Sequence, residues 1–209
     1  MPSPVVHLTI GYTIYRALQH NAHTIRKLCT SRFARWIVLA ACLFFSLIPD
    51  ADSALGVLAS DFGAYHNQWS HSLFFGITPA IFFTLAARLF VPWRAALRWG
   101  ALCLISCVIH VLLDYACYGR GVKLFWPFSN ERFISPVLLF YGLQWSEGFF
   151  SMHHLQTLIN EGLYALVILP PVIYFTQTHN RNVSHDSHSH FGTWPCKRGG
   201  PRSSSGRKI

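Results

Sequence analysis

Apolar and polar positions follow one another along this chain in long blocks rather than in alternating pairs. Apolar runs cover residues 36–48, 72–90, 99–118 and about 158–175, each bordered by basic residues, prolines or aromatic loops. Blocks of this kind predict helices rather than half-buried strands, and the longer ones suffice to cross a bilayer. Ahead of them, residues 4–28 place His7, Gly11 and Ile14 or Tyr15 on one helical face, which predicts an amphipathic helix at the membrane interface. The run at 36–48 is short for a full span and is closed by Pro49, so a tilted or half-buried helix is expected there. Pro170 and Pro171 predict a kink at the end of the last run. The expected fold class is all-α: a multi-spanning membrane bundle of about four transmembrane helices plus an amphipathic N-terminal helix.

Composition supports a membrane setting. The 209 residues are 52% hydrophobic and 12% charged, with a mean hydropathy of +0.31, more apolar than a soluble domain of this size. The net charge of +9 raises nucleic acid or anionic lipid as a partner. Its distribution argues against nucleic acid: six of the seventeen basic residues follow Gln177, and most others flank apolar runs. Cys29, Cys42, Cys103, Cys107, Cys117 and Cys196 form no CxxC pair and lie mostly in apolar segments, which favours reduced, buried thiols. The first twenty residues have no basic region before their apolar part and do not read as a cleaved signal peptide. Residues 1–176 are expected to form the membrane-embedded domain. Residues 177–209, rich in Ser, Gly, Arg and His, are expected to be a disordered basic tail.

The basic residues also predict an orientation. Arg26, Lys27, Arg32 and Arg35 precede the first run, Arg88, Arg94 and Arg98 join the second to the third, and the tail follows the fourth. By the positive-inside rule these belong to the cytoplasmic side. Arg120, Lys123 and Arg132 fall on the other side, against that asymmetry.

Against this apolar background the acids and histidines stand out. Asp50, Asp52, His66 and His71 sit between the first two runs, and His110 and Asp114 lie four residues apart inside the third. That spacing is one helical turn, so both side chains share a face. The chain has only eight acids and puts three in these clusters, although an uncompensated carboxylate near hydrocarbon is costly. The orientation brings both clusters to the same outward membrane face. A divalent cation bound by imidazole and carboxylate is the simplest compensation. Candidate ligands are His7, Asp50, Asp52, His66, His71, His110 and Asp114. Seven exceed one tetrahedral ion, which leaves room for up to three ions or for supporting roles. Asp52 is also a candidate catalytic base. Structural alternatives are a helix cap at Asp50, interfacial roles for His7, His66 and His71, and a hydrogen-bonded pair at His110 and Asp114. His153 and His154, with Glu147 and Glu161, form a weaker cluster at the start of the last run.

The order HLTIG at His7, PDAD at Pro49 to Asp52, HNQWSHS at His66 to Ser72 and HVLLD at His110 to Asp114 resembles the bacterial inner-membrane proteins of the YdjM type, classed as metal-dependent hydrolases. Their pattern is an early His, PDLD, HRxxTHS and HxxxD before a Gly- and Pro-containing loop. The resemblance covers about residues 6–127. Departures are Ala51 for Leu, Asn67 for Arg and Ser70 for Thr; Asn67 removes a charge suited to anion binding, whereas Ser70 keeps a hydroxyl. The family is distantly similar to zinc-dependent phospholipase C and P1-type nucleases, helical enzymes with three zinc ions. That similarity implies phosphoester hydrolysis, yet the later HxxxE element of those enzymes has no clean counterpart here.

Together these readings predict a multi-pass protein of the bacterial inner membrane, a zinc-dependent or related hydrolase with its site on the outward face. Metal-bound hydroxide would attack an ester or phosphoester, and the expected partners are membrane lipid and a small-molecule or lipid-linked substrate. The rivals are a non-catalytic membrane protein with a structural metal site and a divalent-cation transporter; the second lacks a polar path through the second and fourth runs.

Overall fold

A computed structural model of the protein describes residues 2–19, 28, 33–53, 58, 68–143 and 151–189, the last stretch by its backbone alone beyond residue 177. The described residues form five α-helices and no β-strand: α1 (Pro4–Gln19), α2 (Ala34–Phe45), α3 (Ile77–Arg88), α4 (Trp93–Tyr115) and α5 (Met152–Ser189). Single 3-10 turns at Ile48–Ala51 and Trp69–His71 carry polar residues between them.

Each helix boundary has a local cause. Pro4 occupies the first turn of α1, where a missing N–H costs nothing, and the Ser3 hydroxyl accepts the Val5 N–H at 3.2 Å as a cap. α2 stops where the Ser46 hydroxyl donates to the Leu43 carbonyl at 2.8 Å and Pro49 enters the following turn. α3 starts only at Ile77, because residues 72–76 are taken up by tight turns in which the Ser72 hydroxyl accepts the Phe75 N–H at 3.0 Å. α4 begins at Trp93, earlier than the apolar run suggests, since extended Pro92 directly precedes it. α5 continues through Pro170 and Pro171 and past Gln177.

These boundaries correct the expected number of spans. Among the described residues two helices are long and apolar enough to cross a membrane, Trp93–Tyr115 and the Met152–Gln177 part of α5. Ala34–Phe45 and Ile77–Arg88 have 12 residues each, about 18 Å of helix against a hydrocarbon core of about 30 Å. Residue type predicts where apolar segments lie, but Ser46, Pro49 and the Ser72 turns decide how much of each is helical.

α3 and α4 pack as a hairpin, and α1 lies between α2 and α5 while also touching α4. The largest buried cluster joins Tyr15, Val38, Cys42, Phe45, Trp99 and Cys103 with their neighbours from α1 to α4, and the Trp99 indole donates to the Leu28 carbonyl at 3.0 Å. Cys42, Cys103, Cys107 and Cys117 are buried free thiols. Gly11 permits the closest approach of α1 to α2, since a Cβ there would lie 2.7 Å from Ser46 Oγ and 2.8 Å from the Cys42 carbonyl. The same α1 face carries His7, one turn earlier.

Candidate metal centre

Four segments deliver the polar residues. His7 comes from the inner face of α1, Asp50 from the 3-10 turn after α2, His71 from the turn before α3, and His110 with Asp114 from the last two turns of α4. The side chains of His7, His71, His110 and Asp114 are fully buried, and Asp50 retains 14% exposure. Asp50 lies nearest the surface, although both of its carboxylate oxygens are buried.

Their atoms converge. His7 Nε2 lies 3.5 Å from Asp114 Oδ1 and 3.9 Å from Asp50 Oδ2. His71 Nε2 lies 3.5 Å from Asp50 Oδ1 and 2.8 Å from Asp114 Oδ2. His110 Nε2 is 3.4 Å from Asp50 Oδ1, 3.7 Å from Asp114 Oδ2 and 3.3 Å from His71 Nε2. Ligand atoms about 2.0–2.2 Å from a shared cation are separated from one another by roughly 3.0–3.6 Å, and these contacts scatter around that spacing. One ligand atom from each of His7, Asp50, His110 and Asp114 fits within a 4.8 Å group able to hold a metal ion.

Hydrogen bonding supports a cation at this point. Among the described residues, neither nitrogen of His7 nor either oxygen of Asp114 has a hydrogen-bond partner of good alignment, despite the short approach of His71 to Asp114. Buried polar atoms are ordinarily satisfied, so lone pairs aimed at a common point need an explanation, and an ion provides one. The two carboxylates carry two negative charges, which one divalent cation balances if the imidazoles are neutral. The stacking of His7 on His110, with ring centroids 3.7 Å apart and planes at 14°, suits neutral rings.

The far sides of two imidazoles are held in the manner usual for metal-binding histidines. His110 Nδ1 donates to the Ser46 carbonyl at 2.7 Å, leaving Nε2 bare toward the cluster. His71 Nδ1 lies 2.9 Å from Ser70 Oγ and 3.4 Å from Asp52 Oδ2, and the Ser70 hydroxyl also donates to Asp52. Asp52 thus stands behind His71, on the opposite edge of the ring from the converging atoms. This differs from the expectation that Asp52 is a ligand or base, because the His71 ring separates it from the centre.

Charge follows the same geometry. Burial disfavours the ionised Asp50 carboxyl, but His110, His71 and His7 outweigh it and hold the group below the usual carboxylate range. Burial likewise opposes a charged His71, yet Asp114, Asp50 and Asp52 raise its pKa well above that of free imidazole in the metal-free protein. Both shifts come from the close approach of carboxylates and imidazoles within the cluster.

Of the other sequence candidates, His66 lies outside the described residues, as does Glu147. His153 and His154 sit at the start of α5 and are not part of the converging group. Glu161 is buried but turns to the N-terminus of α1, where it accepts the Ser3 N–H at 2.8 and 2.9 Å and the Ser3 hydroxyl. Ser46 had no signal in the sequence, because it acts through its backbone carbonyl. Ser70 was visible only as the hydroxyl of the HNQWSHS motif.

The fold and site define a helical membrane protein with a buried His and Asp cluster that can hold a metal ion. The chain belongs to the YdjM inner membrane protein family, whose sequence model matches residues 1–182. It is also 36% identical over 108 residues to the inner membrane protein YbcI of Escherichia coli (strain K12), an alignment covering 47% of this chain and 58% of that relative. The chain thus spans less than two thirds of that curated relative. No solved structure matches the chain.

Proposed function

We propose that the protein is a membrane-bound, metal-dependent hydrolase in which His7, Asp50, His71, His110 and Asp114 bind one divalent cation, with zinc the first candidate. The observation that carries this reading is the convergence of buried, unaligned lone pairs on one point. Such a cation supplies Lewis acidity and lowers the pKa of a coordinated water. The chain's own residues bind and orient. Ser46 and Asp52 set the ring directions of His110 and His71, and the burial of His7, His71, His110 and Asp114 keeps bulk water from the cluster. An ester or phosphoester, small or lipid-linked, is the substrate class this reading implies.

The site is read as facing outward. Arg94 and Arg98 lie at the opposite end of α4 from Asp114, and twenty residues of helix separate Arg94 from Asp114 by about 30 Å. If the arginine end is cytoplasmic, the cluster reaches the outer interface.

Elemental analysis of the purified protein, combined with a screen of ester and phosphoester substrates before and after chelation, tests the reading. Stoichiometric metal and turnover restored by re-addition are expected; absence of stoichiometric metal would end it. The near-complete burial of four ligands favours one alternative, a closed structural metal site. In that case chelation should unfold the protein and no substrate should turn over.

A further inference from the structure

With 12 residues, α3 is too short to accompany all 23 residues of α4. Gly76, at its start, lies against Leu104 and Cys107, where an added Cβ would meet them at 3.2 and 3.0 Å. The turns of α4 beyond that level are covered by irregular chain instead. Residues 116–143 fold back along them: the Ser135 N–H donates to the Tyr115 carbonyl at 2.9 Å, the Leu139 N–H to the Ala116 carbonyl at 2.8 Å and the Leu73 N–H to the Leu124 carbonyl at 3.0 Å. Val122 and Leu124 share a buried cluster with Val111, which stands about 6 Å of helix before Tyr115, the end of α4. The whole of α4 measures about 34 Å, little more than a hydrocarbon core of about 30 Å. Non-helical backbone therefore stands level with the edge of the hydrocarbon.

This segment turns large apolar side chains outward. Phe128 is 80% exposed, Tyr141 66% and Val137 64%, and Phe125 and Leu138 are exposed with them. Phe128 also meets Phe74 edge to face, with ring centroids 5.1 Å apart, which ties the patch to the turns before α3. Leu112, at the height of Val111 on α4, is itself exposed. Contiguous apolar surface of this kind is unfavourable in water and marks a contact with protein or membrane. The backbone largely satisfies itself: Val122 and Phe133 exchange hydrogen bonds at 3.0 and 2.9 Å, and the Trp126 and Phe128 N–H groups donate to the Lys123 and Phe125 carbonyls at 3.1 and 2.8 Å. Irregular backbone is nevertheless not found facing lipid within the hydrocarbon. The charged side chains of the segment, Arg120, Lys123, Glu131 and Arg132, need polar surroundings as well. Both facts fix its depth at the headgroups, with the apolar side chains reaching toward the acyl chains.

We propose that residues 116–143 dock on the bilayer as an interfacial cap over the end of the protein that carries the His and Asp cluster, with Phe128, Val137 and Tyr141 inserted beneath the lipid headgroups. The partner is lipid rather than a second protein, because the patch stands at the height of a membrane-spanning helix, where the surrounding molecules are lipids. His110, next to Val111, then lies at the same depth, so the cluster sits below the headgroup layer instead of in the aqueous phase. The docking depends on neither metal nor turnover.

The test uses the full-length protein in vesicles of phosphatidylethanolamine and phosphatidylglycerol, with Cys29→Ser and Cys196→Ser so that the remaining native thiols are the buried ones. Phe128→Cys, Val137→Cys and Tyr141→Cys each receive a nitroxide. Their collision rates with oxygen, which partitions into the bilayer, and with a water-soluble nickel chelate supplied on both sides are compared with those of lipids labelled on the headgroup or along the acyl chain. The three labels should favour oxygen over nickel severalfold more than headgroup-labelled lipid does. Helix content and metal content should match those of the unlabelled protein. Free collision of the nickel chelate with the labels would overturn the proposal, since the segment would then stand in water. Protection from oxygen and nickel alike would overturn it too, because a protein surface would then cover the patch. The expected collision pattern in a protein that holds no metal would refute the hydrolase reading and support the cap.

Discussion

α4 and α5 are both long apolar helices, and each buries one acid, Asp114 at 2% and Glu161 at 0% exposure. The two acids are treated in opposite ways. Glu161 receives the Ser3 N–H in both oxygens and the Ser3 hydroxyl besides, and it sits at the N-terminus of α1, where the helix dipole favours a negative charge. Asp114 has no aligned hydrogen-bond partner among the described residues and faces the rims of His7, His71 and His110. One acid spends its lone pairs on structure, whereas the other leaves them unaligned within a cluster that could hold a cation. Their helices differ in the same sense: half of the apolar stretch of α4 is buried within the protein, whereas nearly all of that of α5 is not. α5 touches the rest of the protein mainly through α1, by the Ser3–Glu161 contact near one end and by Arg16 with Thr176 near the other, and turns its remaining face outward. Burial of an acid in a membrane helix is thus an incomplete sign of function; its hydrogen-bond account separates the structural clamp from the candidate ligand.

The strongest way to break this contrast is Asp114→Asn, which keeps the shape and removes one ligand charge. Bound metal, measured by elemental analysis, should weaken by roughly a hundredfold or more, while helix content is retained. If the metal survives, Asp114 is no more a ligand than Glu161 is. Asp52→Asn should be milder, with metal affinity lower by about 10–100-fold because the ring of His71 loses its charged support; a direct ligand would show the larger loss seen for Asp114. For Glu161→Ala the expected sign is reversed. Unpairing the Ser3 N–H should cost about 1–3 kcal/mol of stability in thermal unfolding, while stoichiometric metal binding persists. Gly11→Ala should cost about 1–3 kcal/mol as α1 shifts from α2, and a weakened metal affinity in that variant would show that the shift reaches His7.

Acid should strip the metal through the histidines. The raised pKa of His71 in the metal-free protein means that protons compete for it at a higher pH than for free imidazole, so affinity should start to fall above the usual imidazole range. Metal titrations across pH check this, and Asp52→Asn should move the onset downward, since Asp52 is one of the groups that raise His71.

Much of the site could be read from residue types. His110 and Asp114 belong to one helical face by their spacing alone, and the scarcity of acids in an apolar chain marks Asp50 as unusual. His7 was harder, since a single histidine in an amphipathic helix is most simply a surface residue; its burial depends on Gly11 letting α1 approach α2. The supporting contacts were less legible. Nothing in the type of Ser46 announces that its carbonyl will orient a histidine sixty-four residues away, and Asp52 differs from Asp50 only through the ring that comes between it and the centre.

Residue order alone determined that this is a helical membrane protein with histidines and acids gathered at the ends of its apolar segments, because hydropathy and helical spacing are local properties. Tertiary structure decided which of those groups converge, which stand behind them, and how many helices are long enough to span. Those outcomes depend on where turns consume apolar residues and on which hydrogen bonds are already spent, and both are set by contacts between segments far apart in the chain.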